Sequence, residues 1–166
     1  MAVRLAEREK SVLVYLGCLV KTTHRDSLGP LWASREEIDA AASALNMDSK
    51  EFRLAVRLLA HGKYLEQCDQ MAQGLLITLT PTGYLAYAME AFANFNDVRT
   101  AVEQSIVATP TTNIEIARTL NLPQFQVDIV FSALENESLI KVMHLAAGQD
   151  LMEILEVSPV LELRHR

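Results

Sequence analysis

Apolar positions change their spacing in a fixed order along this chain, and the order occurs twice. From residue 2 to about residue 23 they recur at helical spacing, with Val12, Leu13, Leu16, Leu19 and Val20 on one stripe. Ser34 then predicts the cap of a short helix through Leu45, and Glu37, three residues on, completes a capping box. "NMDS" turns the chain, Ser49 and Glu51 start a second helix that runs to about Ala60, and Gly62 stops it. In "GKYLEQCDQMAQGLLITLT" the period drops to two, which predicts two short strands around the polar tip "DQMAQG". Ile77 and Leu79 alternate with Thr78 and Thr80, after which Pro81 fits a first helical position behind a Thr80 cap. A strand therefore runs straight into a helix, predicted over residues 81 to about 95. The second round predicts helices at about 97–108, Asn113 to Leu120 and Pro123 to Asn136, then strands from Leu139 to His144 and Leu151 to Val157 around "AAGQ".

The two rounds superpose. "ALNMDSKEFRLAVRLLAHGKYLEQ" lies over "TLNLPQFQVDIVFSALENESLIKV" at a shift of 75 residues without a gap, placing Leu45 over Leu120, Asn46 over Asn121, Leu59 over Leu134 and Leu65 over Ile140. The same register puts Leu76 over Leu151 and Leu79 over Ile154. Duplication is the economical reading, with domains at 1–95 and 96–166. A chain of 166 residues, half of them hydrophobic, can bury two small cores of roughly 75 residues each.

Helix, helix, turn, helix and a two-stranded ribbon make the element order of a winged helix-turn-helix domain. The first copy resembles the MarR and PadR types of bacterial transcriptional regulator in "LLAHGKYLEQ" followed by "ITLTPTGYLAY", where those families place the end of the recognition helix, the wing and a polar entry to the next helix. The resemblance covers most of residues 34–95 and, more weakly, 97–158. It implies a mainly α fold with small β-wings (α+β), arranged as two tandem winged helix-turn-helix domains, and double-stranded DNA as a partner. The second helix of the motif would enter the major groove, and the wing at 69–74, with Gln70 and Gln73, would meet backbone or minor groove.

The residues of that helix test the idea independently. Counted at about 100° per residue from Phe52, the residues Phe52, Ala55, Val56 and Leu59 form a core stripe, while Arg53, Arg57, Lys50 and His61 fall together at about 100° to 180°. Forked Arg donors at such positions suit phosphate or a guanine edge, and Lys50 near the helix start suits phosphate. The plainer alternative is a set of solvated charges, partly paired with Glu51 or Glu66. Leu54 falls inside the basic stripe and tells against DNA, although an apolar side chain can rest on a thymine methyl.

At the same angles the second copy carries Phe125, Asp128, Ser132 and Asn136, with Glu135 beside them and Ile129 nearby. An acidic and apolar face repels phosphate and suits protein. Dimerisation or partner binding is expected there, with Phe125 and Ile129 as anchors, unless both pack on the preceding helix of their own domain. The helix from Thr82 carries Tyr84, Leu85, Tyr87, Ala88, Met89, Phe92 and Phe95 nearly all round and must be covered. It is either sandwiched between the copies or paired with its twin across a two-fold axis, with Tyr84, Tyr87 and Phe92 as the interface.

Charge sharpens the division. The net charge of -6 argues against non-specific coating of nucleic acid. It is unevenly spread, with 10 Lys/Arg against 11 Asp/Glu in residues 1–95 and 5 against 10 in residues 96–166. An acidic tandem adaptor that joins proteins without touching DNA is therefore the rival to a DNA-binding regulator. The longest apolar runs, such as "SVLVYLGCLV", are too short to cross a bilayer, and Glu7, Arg8, Glu9 and Lys10 stand where a secretion signal would begin, so a cytoplasmic protein without a membrane partner is expected. Cys18 and Cys68 form no CxxC pair and read as two small buried hydrophobes. Neither cofactor nor metal is expected, because His24, His61, His144 and His165 are widely separated. The chain has no GxGxxG, GxxxxGK[ST], HExxH or GxSxG, so it is not read as an enzyme.

Overall fold

A computed structural model describes residues 5–24, 28–70, 74–146 and 150–165, with the backbone alone at 67–70, 146 and 150. The chain is mainly helical, with two small antiparallel sheets. It divides into two compact units whose main break lies between Ala91 and Phe92, four residues before the expected boundary.

The first unit runs α1 (Glu7–Thr23), β1 (Leu31–Ala33), α2 (Arg35–Ala44), α3 (Ser49–His61), β2 (Leu65–Gln70), β3 (Gly74–Leu79) and α4 (Pro81–Ala91). Ser34 caps α2 with the reciprocal Glu37 bond that the sequence predicts. Asp48, not Ser49, caps α3: its carboxylate accepts from the N–H groups of Lys50 and Glu51, and the Glu51 side chain returns to Asp48 N at 3.1 Å. Thr80 caps α4 as expected, accepting from Gly83 N at 3.1 Å, and its own hydroxyl donates to the Lys63 carbonyl at 2.7 Å. The core gathers Val12, Leu13, Leu16 and Val20 of α1 with Ile38 of α2, Phe52, Val56 and Leu59 of α3, and Ile77 of β3. Strand β1, three residues long and not anticipated, pairs with β3 to give the sheet order β1-β3-β2.

The second unit repeats the plan as α5 (Phe95–Ala108), α6 (Asn113–Leu120), α7 (Gln124–Asn136), β4 (Ile140–Ala146), β5 (Asp150–Val157) and α8 (Pro159–Arg164). A single bridge from Thr112 to Glu153 stands where the first unit has β1. Backbone geometry carries the repeat further than apolar spacing does. Among the described residues the non-glycine positions with positive φ are Asn46 and Asn121, then Lys63 and Ser138, two pairs each 75 residues apart. Both pairs sit at helix ends and return the chain by matching bonds: Met47 N to Ala42 O with Leu122 N to Ala117 O, and Tyr64 N to Leu59 O with Leu139 N to Leu134 O. The left-handed residue that ends α3 is thus Lys63, while Gly62, expected to be the breaker, has φ -75°.

The gapless register fails in the hairpins. Leu65 pairs with Leu79, whereas Ile140, the counterpart of Leu65, pairs with Val157. A bulge at Lys141/Val142, where Leu155 is left over, and a longer hairpin displace the second strand. Leu79 therefore corresponds to Val157 and not to Ile154. One unrecognised equivalence follows: Ser158–Pro159 opens α8 as Thr80–Pro81 opens α4, and Ser158 N donates to Leu139 O as Thr80 N does to Tyr64 O.

Candidate nucleic-acid interface

Helix α3 is held from three sides. Its N-terminus is fixed by Asp48 and by a hydrogen bond from Ser49 Oγ to Asp39 of α2, its inner face packs on α1 and α2, and its C-terminus passes through Lys63 into β2. Phe52, Ala55, Val56 and Leu59 are buried, as their angles predict. The opposite face is open, with Lys50, Arg57 and His61 exposed and Arg53 half-buried. Among the described residues none of these four side chains makes an ion pair or hydrogen bond, so their charge and donors face solvent. Glu51, one of the two acids that the plainer alternative sets against these cations, is paired with Arg8 of α1 at 3.0 Å. Lys63, also exposed, extends the set of cations past the end of α3 and was left out of the sequence reading, although "HGKY" places it two residues beyond His61.

The basic stripe is flanked by apolar surface. Leu54 is 51 % exposed and Leu58 47 % exposed, and helical spacing puts both beside His61. Leu58 was not singled out from sequence. Of the expected wing contacts, Gln70 ends β2 opposite Gly74, its side chain lying outside the described residues, and Gln73 lies outside them altogether.

The second unit does not present the corresponding face. Phe125 and Ile129, expected as exposed anchors, are both fully buried, because α7 is covered by α5, α6 and β4. Asp128, expected in solvent, is 1 % exposed. Its Oδ1 accepts from Asn113 Nδ2 at 2.6 Å, and Asn113 Oδ1 accepts from Met152 N at 2.9 Å, so the acid ties α7 through α6 to β5. Ser132 is half-buried, leaving only Asn136 of the four equivalent positions fully open.

Tyr84 and Tyr87 are likewise internal. Tyr84 Oη accepts from Gly29 N at 3.0 Å, and the Tyr87 ring fills the space beside Gly17, where a Cβ would come within 2.3 Å of it. Both are therefore spent inside the first unit and not offered to a partner. Phe92 is half-buried, its ring centroid 6.5 Å from that of Phe95. Cys18, expected to be buried, is exposed on α1, and the Cys68 side chain lies outside the described residues.

Glu103 of α5, 6 % exposed, stands at the centre of a charged cluster. Arg99 Nε donates to it at 2.8 Å and His165 Nε2 lies 2.9 Å away, while Arg99 also reaches Glu137 at 2.7 Å. These bonds fasten the end of α8 to α5. Among the described residues no helix is long and apolar enough to cross a membrane. No family model matches the chain, and no curated protein matches it.

Proposed function

We propose that the chain is a tandem winged helix-turn-helix protein that acts as a DNA-binding transcriptional regulator through its first unit. In this reading α3 enters the major groove, with Arg53 and Arg57 toward base edges or phosphate, Lys50 and Lys63 on the backbone, and the β2–β3 hairpin alongside. The observation that carries it is the set of cationic side chains on the open face of α3, held in a capped helix and without partners among the described residues. Cations left unpaired on a rigid helix cost little in water and gain most from displacing counterions at a polyanion.

The second unit has a different task. Its equivalent helix is closed, and its half of the sequence carries a net charge of -5 by the same count, so it does not meet phosphate. Dimerisation or partner binding is assigned to it, and the surface is no longer that of Phe125 and Ile129: Met143, Leu155, Val160 and Leu163, 39 %, 55 %, 55 % and 68 % exposed, are the large apolar residues it leaves open among those described.

Leu54 and Leu58 favour a second reading, an adaptor that grips an acidic, apolar protein segment with the same face of α3. Selection of duplexes from a random pool, followed by anisotropy at several salt concentrations, separates the two. A regulator enriches a sequence and binds it with a salt slope of about -0.9 per phosphate contact. Failure of the full chain to enrich any duplex sinks the regulator and leaves the adaptor.

A further inference from the structure

An apolar cavity of about 410 Å³ opens on the first unit between α1, β1 and α2, with Phe52 of α3 and Ile77 of β3 at its floor. Its size is that of a small-molecule site. The walls are Leu16 and Leu19 of α1 and Ile38 and Ala41 of α2. Two features at the mouth are unlike the rest. Trp32, the chain's one tryptophan, stands on the edge strand β1 and remains 46 % exposed, although its neighbour Leu31 is buried. Among the described residues that line the cavity, Glu37 alone is charged. Its carboxylate is held below the usual range by the Ser34 N–H, which donates to Oε2 at 2.7 Å, so it is ionised at neutral pH.

From this pairing we infer that the cavity binds a small amphiphilic amine, its apolar body against Ile38 and Phe52 and its ammonium group between the Trp32 ring and the Glu37 carboxylate. An exposed indole face and a fixed carboxylate both attract a cation, and both repel a carboxylate of the same shape. The described lining residues offer an anion no Lys, Arg or His. Binding here does not depend on whether the chain meets DNA, although the ligand would rest on Phe52, one residue before Arg53.

Trp32 makes the test direct, because its emission reports on the cavity mouth. The full chain would be titrated with phenylbutylamine and, separately, with phenylbutyrate, two probes of one shape and opposite charge, exciting on the red edge of the indole band. A saturable change with the amine is expected, with the carboxylate at least about tenfold weaker. Glu37→Gln keeps an acceptor for the capping box and is expected to bring the two probes within about threefold of each other. Absence of a saturable change with the amine, or equal binding of both probes by the wild type, overturns the proposal. If circular dichroism shows Glu37→Gln unfolded, the wild-type comparison decides alone.

Discussion

Asn113, the first residue of α6, and Asp128, in the middle of α7, are joined by a buried 2.6 Å hydrogen bond. The carboxamide faces two ways, donating to the acid and accepting from Met152 N of β5. Asn113→Ala removes both bonds and leaves a carboxylate in the core with less to hold it. A loss of about 3 kcal/mol is expected in urea unfolding, with Asp128→Asn milder because an amide oxygen still accepts from Asn113. A neutral Asn113→Ala would mean that the network contributes nothing to folding.

Gly83 lies where the first turn of α4 meets the chain leaving α3. A Cβ there would stand 1.9 Å from the Tyr64 carbonyl oxygen, a backbone atom that Thr80 N also uses. Gly83→Ala is therefore expected to cost about 3 kcal/mol or more. Gly17→Ala, whose three nearest neighbours would be ring atoms of the buried Tyr87, a side chain and not backbone, should be the milder of the two by thermal melting.

Leu59 and Leu134 are each fully buried and each accepts, through its carbonyl, the bond from the residue that enters the following strand. Truncation to alanine is expected to destabilise by about 2 to 5 kcal/mol at either site. If one of the two proved neutral, the equivalence of the units in packing would fail even though their backbones correspond.

Glu103 sets an acid limit on stability. Burial pushes its pKa up, but hydrogen bonds from Arg99 and His165 and the charges of Arg99 and Arg164 outweigh this and hold the carboxyl below the usual range. A carboxylate depressed in the folded state contributes stability that is present above the unfolded value, about 4.3, and is lost as pH falls through the folded value. Glu103→Gln should therefore lower the urea midpoint near neutrality, and the gap to wild type should close as the solution is acidified below that window. A gap independent of pH would show that Glu103 acts by packing alone.

Arg57→Ala touches no intramolecular partner among the described residues. Its stability should stay within about 0.5 kcal/mol of wild type, while affinity for a selected duplex falls by about 1 to 3 kcal/mol if the guanidinium reads a base. Undiminished, salt-insensitive duplex binding by an Arg53→Ala, Arg57→Ala double variant would remove α3 from the interface.

Local chemistry made much of the fold readable. Capping residues stand next to the positions they cap, and helix and strand periods are set by neighbours along the chain, so Ser34, Thr80 and the limits of α6 follow from spacing. The basic stripe was readable for the same reason, since Phe52, Val56 and Leu59 fix which side of α3 turns inward. Strand β1 was not, because three residues give no period and its pairing with β3 spans more than forty positions. The bulge beside Leu155 was hidden too, as one extra residue in a strand leaves the apolar pattern almost intact.

The sequence by itself determined two rounds of helix, helix and hairpin, the caps at Ser34 and Thr80 and the concentration of negative charge in the second half. Only the tertiary structure decided which faces those elements keep. Equivalent positions are open at Lys50 and closed at Phe125, and half-buried at Arg53 and closed at Asp128, because burial depends on what packs against a helix and not on the helix alone. Helical angle ranks residues around one axis; it is α5, α6 and β4, packed around α7, that turn its outer side into core.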